Sequence, residues 1–245
     1  MKLSSLFHTA VFPLLVVISG VIGYSSQARA MTFTGSVNGS WGKPTAGSIN
    51  TDPYYTGVDT KAFTWGDPRL FKDASANELV FEGSPFSVNE GSLFKIGDLT
   101  YVNGTVLLGT SVEDVPLNLN LSFDEPSELD QFFSYQFNLK NTPNLYDDPD
   151  LNADYVVVSQ NDVKSNFVYD GNLYSLSLTG FSQDNGETNV NEFRVREGEK
   201  TTAAIYGQIN KVTFSKQEIP EPGFAVGLSV FGAYLISRKK AKKTK

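Results

Sequence analysis

The sequence predicts an all-β protein whose body is an antiparallel β-sandwich, jelly-roll-like, flanked by an N-terminal signal-peptide helix and a short C-terminal hydrophobic helix. Apolar and polar residues alternate with a period of two along many short segments, which is typical of half-buried strands. Turn-forming residues recur roughly every 8 to 12 positions, and no long stripe with the 3.6-residue period of a helix interrupts them. A chain of 245 residues is long enough for one such domain.

The first element is a secretory signal peptide over residues 1–30. Lys2 precedes a 13-residue apolar run at positions 10–22, and the small residues Ala28 and Ala30 fit the A-x-A pattern read by signal peptidase. We therefore expect cleavage after Ala30. A core helix or an uncleaved anchor is the alternative, but the run is too short to cross about 30 Å of hydrocarbon.

The body, residues 31–215, then follows as a series of strand candidates. The clearest is 115–123, where Val115, Leu117, Leu119, Leu121 and Phe123 alternate with polar residues and Pro116. The other candidates, in chain order, are residues 79–81, 93–96, 99–102, 106–108, 133–139, 155–158, 167–169, 173–178, 192–195, 203–209 and 212–214. The eighteen Phe and eleven Tyr of the chain provide enough apolar surface to hold such a body together without disulfides.

Local signals predict how some of these strands are joined. Asp170-Gly171 and Asn103-Gly104 are both typical of tight hairpin turns, because Gly tolerates the positive φ that such turns need. Residues 127–132 are expected to form one helical turn, with Ser127 as its cap. Residues 216–218 form a short linker at the end of the body.

Composition excludes several functions for the body. The chain has no Cys, and its one His, His8, lies in the signal peptide, so the exported chain lacks the side chains for Ser-His-Asp or Cys-His catalysis and for common zinc sites. Residues 31–218 carry 12 basic and 26 acidic side chains, a net charge of −14, which argues against binding nucleic acid. A body without Cys also suits an oxidising compartment. The sequence therefore predicts a protein that is not an enzyme.

The C-terminal segment, residues 216–245, has three parts in a fixed order. Pro220-Glu221-Pro222 precedes an apolar stretch at 223–237, which as a helix would be about 22 Å long, and a basic tail at 238–245. This order resembles a PEP-CTERM sorting signal of Gram-negative surface proteins. The resemblance implies transient membrane anchoring, recognition by an exosortase, and release or transfer of the body to the cell surface or outside the cell. The alternative is a plain single-span anchor with the basic tail in the cytoplasm.

Several segments of the body, in order, resemble the choice-of-anchor K domain, a family of secreted bacterial domains. They are Gly39-Ser40-Trp41-Gly42, Phe63-Thr64-Trp65-Gly66, residues 99–105, Asn141-Thr142-Pro143-Asn144, Ala153-Asp154-Tyr155-Val156, and the stretch from Glu197-Gly198 to Tyr206-Gly207. The resemblance covers most of residues 33–214. It implies a secreted or surface-attached β-rich domain and gives no catalytic residue to transfer.

Two groups of residues are candidate ligand sites. Asp148, Asp150, Asn152 and Asp154 occupy alternate positions of an acidic loop that could supply oxygen ligands to calcium, although Ala153 and Ser159 exclude an EF-hand. The alternative is a solvated acidic turn. Trp41 and Trp65 stand in two Trp-Gly-x-Pro repeats and, with Tyr54 and Tyr55, could form a sugar-stacking platform. The alternative there is buried packing, which is the commoner state of Trp.

These observations lead to one main functional hypothesis and two others. The main one is an exported, non-enzymatic protein of the cell surface or extracellular matrix, associated with extracellular polysaccharide. The second is a carbohydrate-binding module, with or without calcium. The third is a glycoside hydrolase that uses two carboxylates facing each other in a cleft, since that chemistry needs no His.

Overall fold

A computed structural model describes residues 31–125, 129–159 and 166–213. Within these residues the chain forms thirteen strands. In chain order they are β1 (Thr32–Trp41), β2 (Tyr55–Thr56), β3 (Ala62–Trp65), β4 (Asn77–Gly83), β5 (Pro85–Asn89), β6 (Leu93–Val102), β7 (Asp114–Glu125), β8 (Leu129–Lys140), β9 (Asp154–Val158), β10 (Asn166–Tyr169), β11 (Asn172–Ser182), β12 (Glu192–Val195) and β13 (Lys200–Lys211).

The strands form two sheets in which every neighbouring pair is antiparallel. One sheet has the order β12-β9-β8-β7-β1-β5 and the other the order β10-β11-β13-β6-β4-β3-β2. The part of the chain that is described contains no helix, so the predicted all-β antiparallel class is confirmed. For the same residues, no helix is present that is long and apolar enough to cross a membrane.

Side-chain alternation explains why these segments become strands with one face in the core. In β7, Val115, Leu117, Leu119, Leu121 and Phe123 are all buried, while the residues between them are partly exposed. The period of two along a pleated strand places the two sets on opposite faces. The sequence therefore determines which face of this strand packs inside.

The two sheets enclose one hydrophobic core that is rich in aromatic rings. Rings from opposite sheets contact each other along its length, with centroids 5.1 Å apart for Phe33 and Tyr174 and 6.3 Å apart for Trp41 and Phe63. The core residues extend from Phe33 in β1 to Ile209 in β13. The sheets approach closely where the chain passes from β4 to β5, and there the Val37 N–H donates to the Ser84 carbonyl at 3.0 Å.

Of the two predicted hairpins, one is confirmed and one is wrong. Asp170 and Gly171 join β10 to β11 with φ of 46° and 71°, as a tight turn of the mirror-image type requires. Asn103-Gly104 is not a turn between paired strands, because β6 pairs with β4 and β13, and residues 106–108 are not a strand. Asn103 is instead completely buried and binds a distant part of the backbone.

Other elements also differ from the sequence prediction. Residues 93–96 and 99–102 belong to one continuous strand, β6, and the predicted helical turn is replaced at 129–132 by the start of β8. Strand β13 ends at Lys211, so residues 212 and 213 are not a strand. The predicted cap Ser127, Phe214, the predicted signal peptide with Ala28 and Ala30, and the predicted sorting motif Pro220, Glu221 and Pro222 lie outside the described residues.

Candidate functional site

A cleft of about 500 Å³ opens at one end of the two sheets. It is formed mainly by three connections, which join β6 to β7, β8 to β9 and β12 to β13. We call it the end cleft. Its polar lining includes Thr105, Ser111, Glu113, Lys140, Asn141, Thr142, Asp154 and Glu197. Loops held by rigid strands are where binding and catalytic residues are most often found.

Asp154, the first residue of β9, is the most unusual group in the end cleft. Its side chain is buried, and its Oδ1 accepts hydrogen bonds from the Thr142 N–H at 2.7 Å and the Thr142 hydroxyl at 3.1 Å. Burial, which disfavours the charged form, raises its pKa to about 6, against the lowering effect of the Thr142 hydrogen bonds. The negative charge of Glu197 adds to the increase. Asp154 therefore carries a mixture of acid and carboxylate near neutral pH.

Glu197 is brought to the same cleft by a buried asparagine. The Asn103 amide nitrogen donates to the Val195 carbonyl at 2.9 Å, and the Asn103 backbone N–H donates to the Glu199 carbonyl at 3.0 Å. These bonds tie the residues after β6 to the turn after β12. As a result the Thr105 hydroxyl donates to Glu197 Oε1 at 2.5 Å.

Tyr101 is buried close enough to these carboxylates to be affected by their charges, and Trp65 is buried beside Tyr101. Burial raises the pKa of Tyr101 well above its ordinary value, and the charges of Asp154 and Glu197 raise it further. The Tyr101 ring stacks on Trp65 with centroids 5.7 Å apart. Rigid aromatic packing thus supports the strands that carry the end cleft.

The charged residues in the lining of the end cleft are mostly acidic. Glu113, Asp154 and Glu197 face one basic residue, Lys140. A pair of carboxyls, one of which has a raised pKa, is the minimum set for general acid–base chemistry on a glycosidic bond. Hydroxyls and amides beside them can also bind a polar ligand without any reaction.

The predicted calcium ligands are not gathered into one acidic group among the described residues. The Asp150 carboxylate accepts from Arg196 Nε at 2.6 Å, and Asp148 Oδ1 accepts from the Asp150 N–H at 3.0 Å. Asn152 is bound through its amide to the backbone of Tyr146. Among the described residues, no three acidic, His or Cys side chains come together in a group that could hold a metal. Asp148, Asp150, Asn152 and Asp154 therefore each bind groups of the protein itself in this structure, and the calcium hypothesis for them stays a prediction.

The sugar-stacking platform is corrected, because Trp41 and Trp65 have no exposed surface. The Trp41 indole N–H donates to the Lys61 carbonyl at 3.0 Å, whereas the Trp65 indole N–H is buried without a hydrogen-bond partner. A ring inside the core cannot stack on a sugar. The alternative interpretation, buried packing at strand ends, describes both residues.

The two tyrosines of that hypothesis also lack a common exposed surface with the tryptophans. Tyr54 is half exposed, with the Arg69 guanidinium 5.9 Å from its ring centroid. Tyr55 lies in β2 opposite Trp65 and packs on Phe63 with centroids 6.2 Å apart.

Of the predicted site residues that the structure describes, the end cleft contains only Asp154. Glu197, Thr105 and Asn103 were not predicted as site residues. Their contacts join positions far apart in the chain, which local sequence patterns do not reveal. In addition, the Asn103-Gly104 pair has the sequence of a hairpin turn, so it was interpreted as one.

Comparison with protein-family models and with curated proteins finds no match to this chain. The family resemblance and the function therefore rest on the residues themselves.

Proposed function

We propose that this chain is an exported, non-enzymatic protein of the cell surface or extracellular matrix, sorted by an exosortase through its C-terminal tail. The observation that carries the proposal is the order of the tail: Pro220-Glu221-Pro222, an apolar stretch and a basic terminus. The body is compatible with it. Strand β1 begins at Thr32, so cleavage after Ala30 would leave every described strand intact.

The proposed body is a jelly-roll-like sandwich of the choice-of-anchor K type. The connections support this, because the chain passes between the two sheets seven times, at β1 to β2, β4 to β5, β5 to β6, β6 to β7, β9 to β10, β11 to β12 and β12 to β13. A jelly roll is built from two sheets connected in this way. A body without Cys also needs no disulfide chemistry on its way out of the cell.

The sorting proposal can be tested in the host by replacing Pro220, Glu221 and Pro222 with Ala. We expect the changed protein to lose its N-terminal 30 residues but to stay in the membrane fraction, whereas the natural protein reaches the surface or medium. Lys216→Ala, a linker change outside the motif, is the matched control and should not alter sorting. Natural protein found in the cytoplasm with residues 1–30 still attached would contradict export.

A second candidate function, carboxylate-based hydrolysis of a glycan, is favoured by one observation. Asp154 and Glu197 both line the end cleft, and the charge of Glu197 helps raise the pKa of Asp154. Assays for released reducing sugar should compare the natural protein with Asp154→Asn and Glu197→Gln. Sugar release that is abolished by both substitutions would contradict the non-enzymatic proposal and support hydrolysis. No sugar release from the host's own polysaccharide would support the non-enzymatic proposal.

A further inference from the structure

An aromatic side chain lies exposed on the outer face of one sheet, where the strand pattern calls for a polar residue. In β8, Phe133, Tyr135 and Phe137 are buried, while Ser134 and the other residues between them face outward. Phe132 lies on the outward side and is 78% exposed. Keeping a phenyl ring in water gives up the free energy that burial would supply. Core packing therefore does not explain this residue.

Uncharged polar side chains surround Phe132 on the neighbouring strands. In the strand register, Asn120 of β7 lies opposite Phe132, and Asn38 of β1 lies opposite Asn120. The adjacent row contains Ser40, Asn118 and Ser134. Together these six residues line a shallow groove of about 590 Å³, which we call the Phe132 groove. It spans three strands, which is about 10 Å across.

Part of the polar lining of the Phe132 groove lacks hydrogen-bond partners. Asn120 Oδ1 is buried and has no partner, although buried amide oxygens are nearly always bonded. Asn118 Oδ1, by contrast, accepts from the Ser134 hydroxyl at 2.8 Å. Asn120 Oδ1 therefore lies beneath the surface of the groove without a protein partner, and the Asn120 amide would have to turn before this oxygen could bond to a ligand.

We propose that the Phe132 groove binds a neutral polysaccharide. A pyranose has an apolar C–H face that stacks on a phenyl ring, and hydroxyls at its edge that bond to amides and serine hydroxyls. None of the described residues that line the groove is charged, which matches an uncharged polymer. The inference rests on the proposed function in a polysaccharide matrix, and it identifies the surface that would bind the matrix.

A protein partner fits this groove less well. Protein interfaces bury a central cluster of apolar anchors, whereas Phe132 is the only exposed large apolar side chain among the described residues that line this groove. An anionic polymer would need basic residues, and the lining contains none.

The test uses the full chain, purified in mild detergent, and measures its retention on cellulose, agarose and starch as neutral polymers and on alginate as an anionic one. We expect retention on at least one neutral polymer and none on alginate. Phe132→Ser should weaken the retained binding at least about tenfold, and Phe132→Trp should keep it. Val168→Ser removes an apolar side chain that is 61% exposed on a strand of the other sheet, so it serves as the matched control and should bind normally.

The outcomes separate this proposal from the others. Equal midpoints of thermal unfolding for Phe132→Ser and the natural protein would show that the ring is not needed for folding. No retention on any neutral polymer, or retention that survives Phe132→Ser but is lost in Asp154→Asn, would overturn the proposal. Self-association that Phe132→Ser abolishes would overturn it too, since a second copy would then cover the ring. Because the sorting test measures location and this test measures binding, either proposal can fail alone.

Discussion

Asp154 and Asp184 show how the surroundings of a carboxyl determine its pKa in this protein. Asp184, in the turn after β11, accepts hydrogen bonds from the Thr188 hydroxyl, the Thr188 N–H and the Ser182 hydroxyl, which lower its pKa to about 2. Asp154 is buried in the end cleft, and the loss of hydration raises its pKa to about 6. The carboxylate of Asp184 stabilises the fold, whereas ionisation of Asp154 lowers the stability of the fold relative to its neutral form.

This difference predicts the effect of Asp154→Asn on stability. The folded-state pKa of Asp154 lies above its ordinary value of 3.8, so the folded state binds the proton more tightly and stability falls as pH rises from about 4 to about 6. Asn keeps an oxygen for Thr142 but carries no charge. We expect Asp154→Asn to raise the free energy of unfolding at about pH 7, by at most on the order of 3 kcal/mol, and to have little effect below about pH 4. Urea unfolding across this pH range measures it.

Asp184→Asn is the control with the opposite sign. Its pKa is lowered in the folded state, so the contribution of its carboxylate is present above about pH 4 and is lost as pH falls towards about 2. We expect this variant to be less stable than the natural protein at neutral pH and equal to it in strong acid. If Asp154→Asn were also less stable at neutral pH, the buried carboxylate would be stabilising the fold and its raised pKa would be wrong.

At the scale of elements, two dipeptides that look alike in the sequence have different roles. Asp170-Gly171 turns between two strands that pair with each other, so local conformational preference decides its structure. Asn103-Gly104 follows a strand whose neighbours come from elsewhere in the chain, and the Asn103 amide is used to hold the turn after β12. A turn signal can be read from sequence only when the two flanking segments pair with each other.

Two glycine substitutions can distinguish the loss of stability caused by backbone strain from the loss caused by a steric clash. Gly171 has φ of 71° with nothing near the position of a Cβ, so Gly171→Ala should cost only the strain of a left-handed residue, about 1 kcal/mol. A Cβ on Gly83 would collide with the Val37 carbonyl, where the two sheets approach each other, so Gly83→Ala should cost about 3 kcal/mol. Chemical denaturation measures both changes. Equal costs would contradict the close approach of the sheets at Gly83.

The connection between β8 and β9 gives a prediction about calcium. Its acidic side chains already bind Arg196 and the backbone of their own loop, so a calcium ion would have to displace these contacts. We therefore expect neither calcium nor EDTA to change the midpoint of thermal unfolding of the full chain. A calcium-dependent increase that Asp148→Asn and Asp150→Asn abolish would support the calcium hypothesis for this loop.

At the scale of the whole molecule, the all-β class was predictable because apolar and polar residues alternate along the strands in the sequence itself. In β7 this alternation matches the alternation of buried and partly exposed residues. The end cleft was not predictable, because the bond between Thr105 and Glu197 joins residues 92 positions apart and depends on how the sheets assemble. The sequence favoured burial of Trp41 and Trp65 but could not establish it. The alternation along a strand shows which face is buried, but not whether the second sheet covers the end of the strand where each Trp lies. Phe132 did leave a signal, as an apolar residue at an outward position of β8.

The body with its linker, residues 31–218, is expected to fold with the same stability when both ends of the chain are removed. The described core runs from Phe33 to Ile209, so all of its buried hydrophobic residues lie between the predicted signal peptide at 1–30 and the segment 219–245. We expect a chain trimmed to residues 31–218 to unfold in one cooperative step, with the same midpoint as the full chain in the same detergent, because trimming removes no residue of this core. Circular dichroism during heating measures both. A lower midpoint for the trimmed chain would mean that residues 1–30 or 219–245 stabilise the body, and the predicted domain bounds would need to be extended.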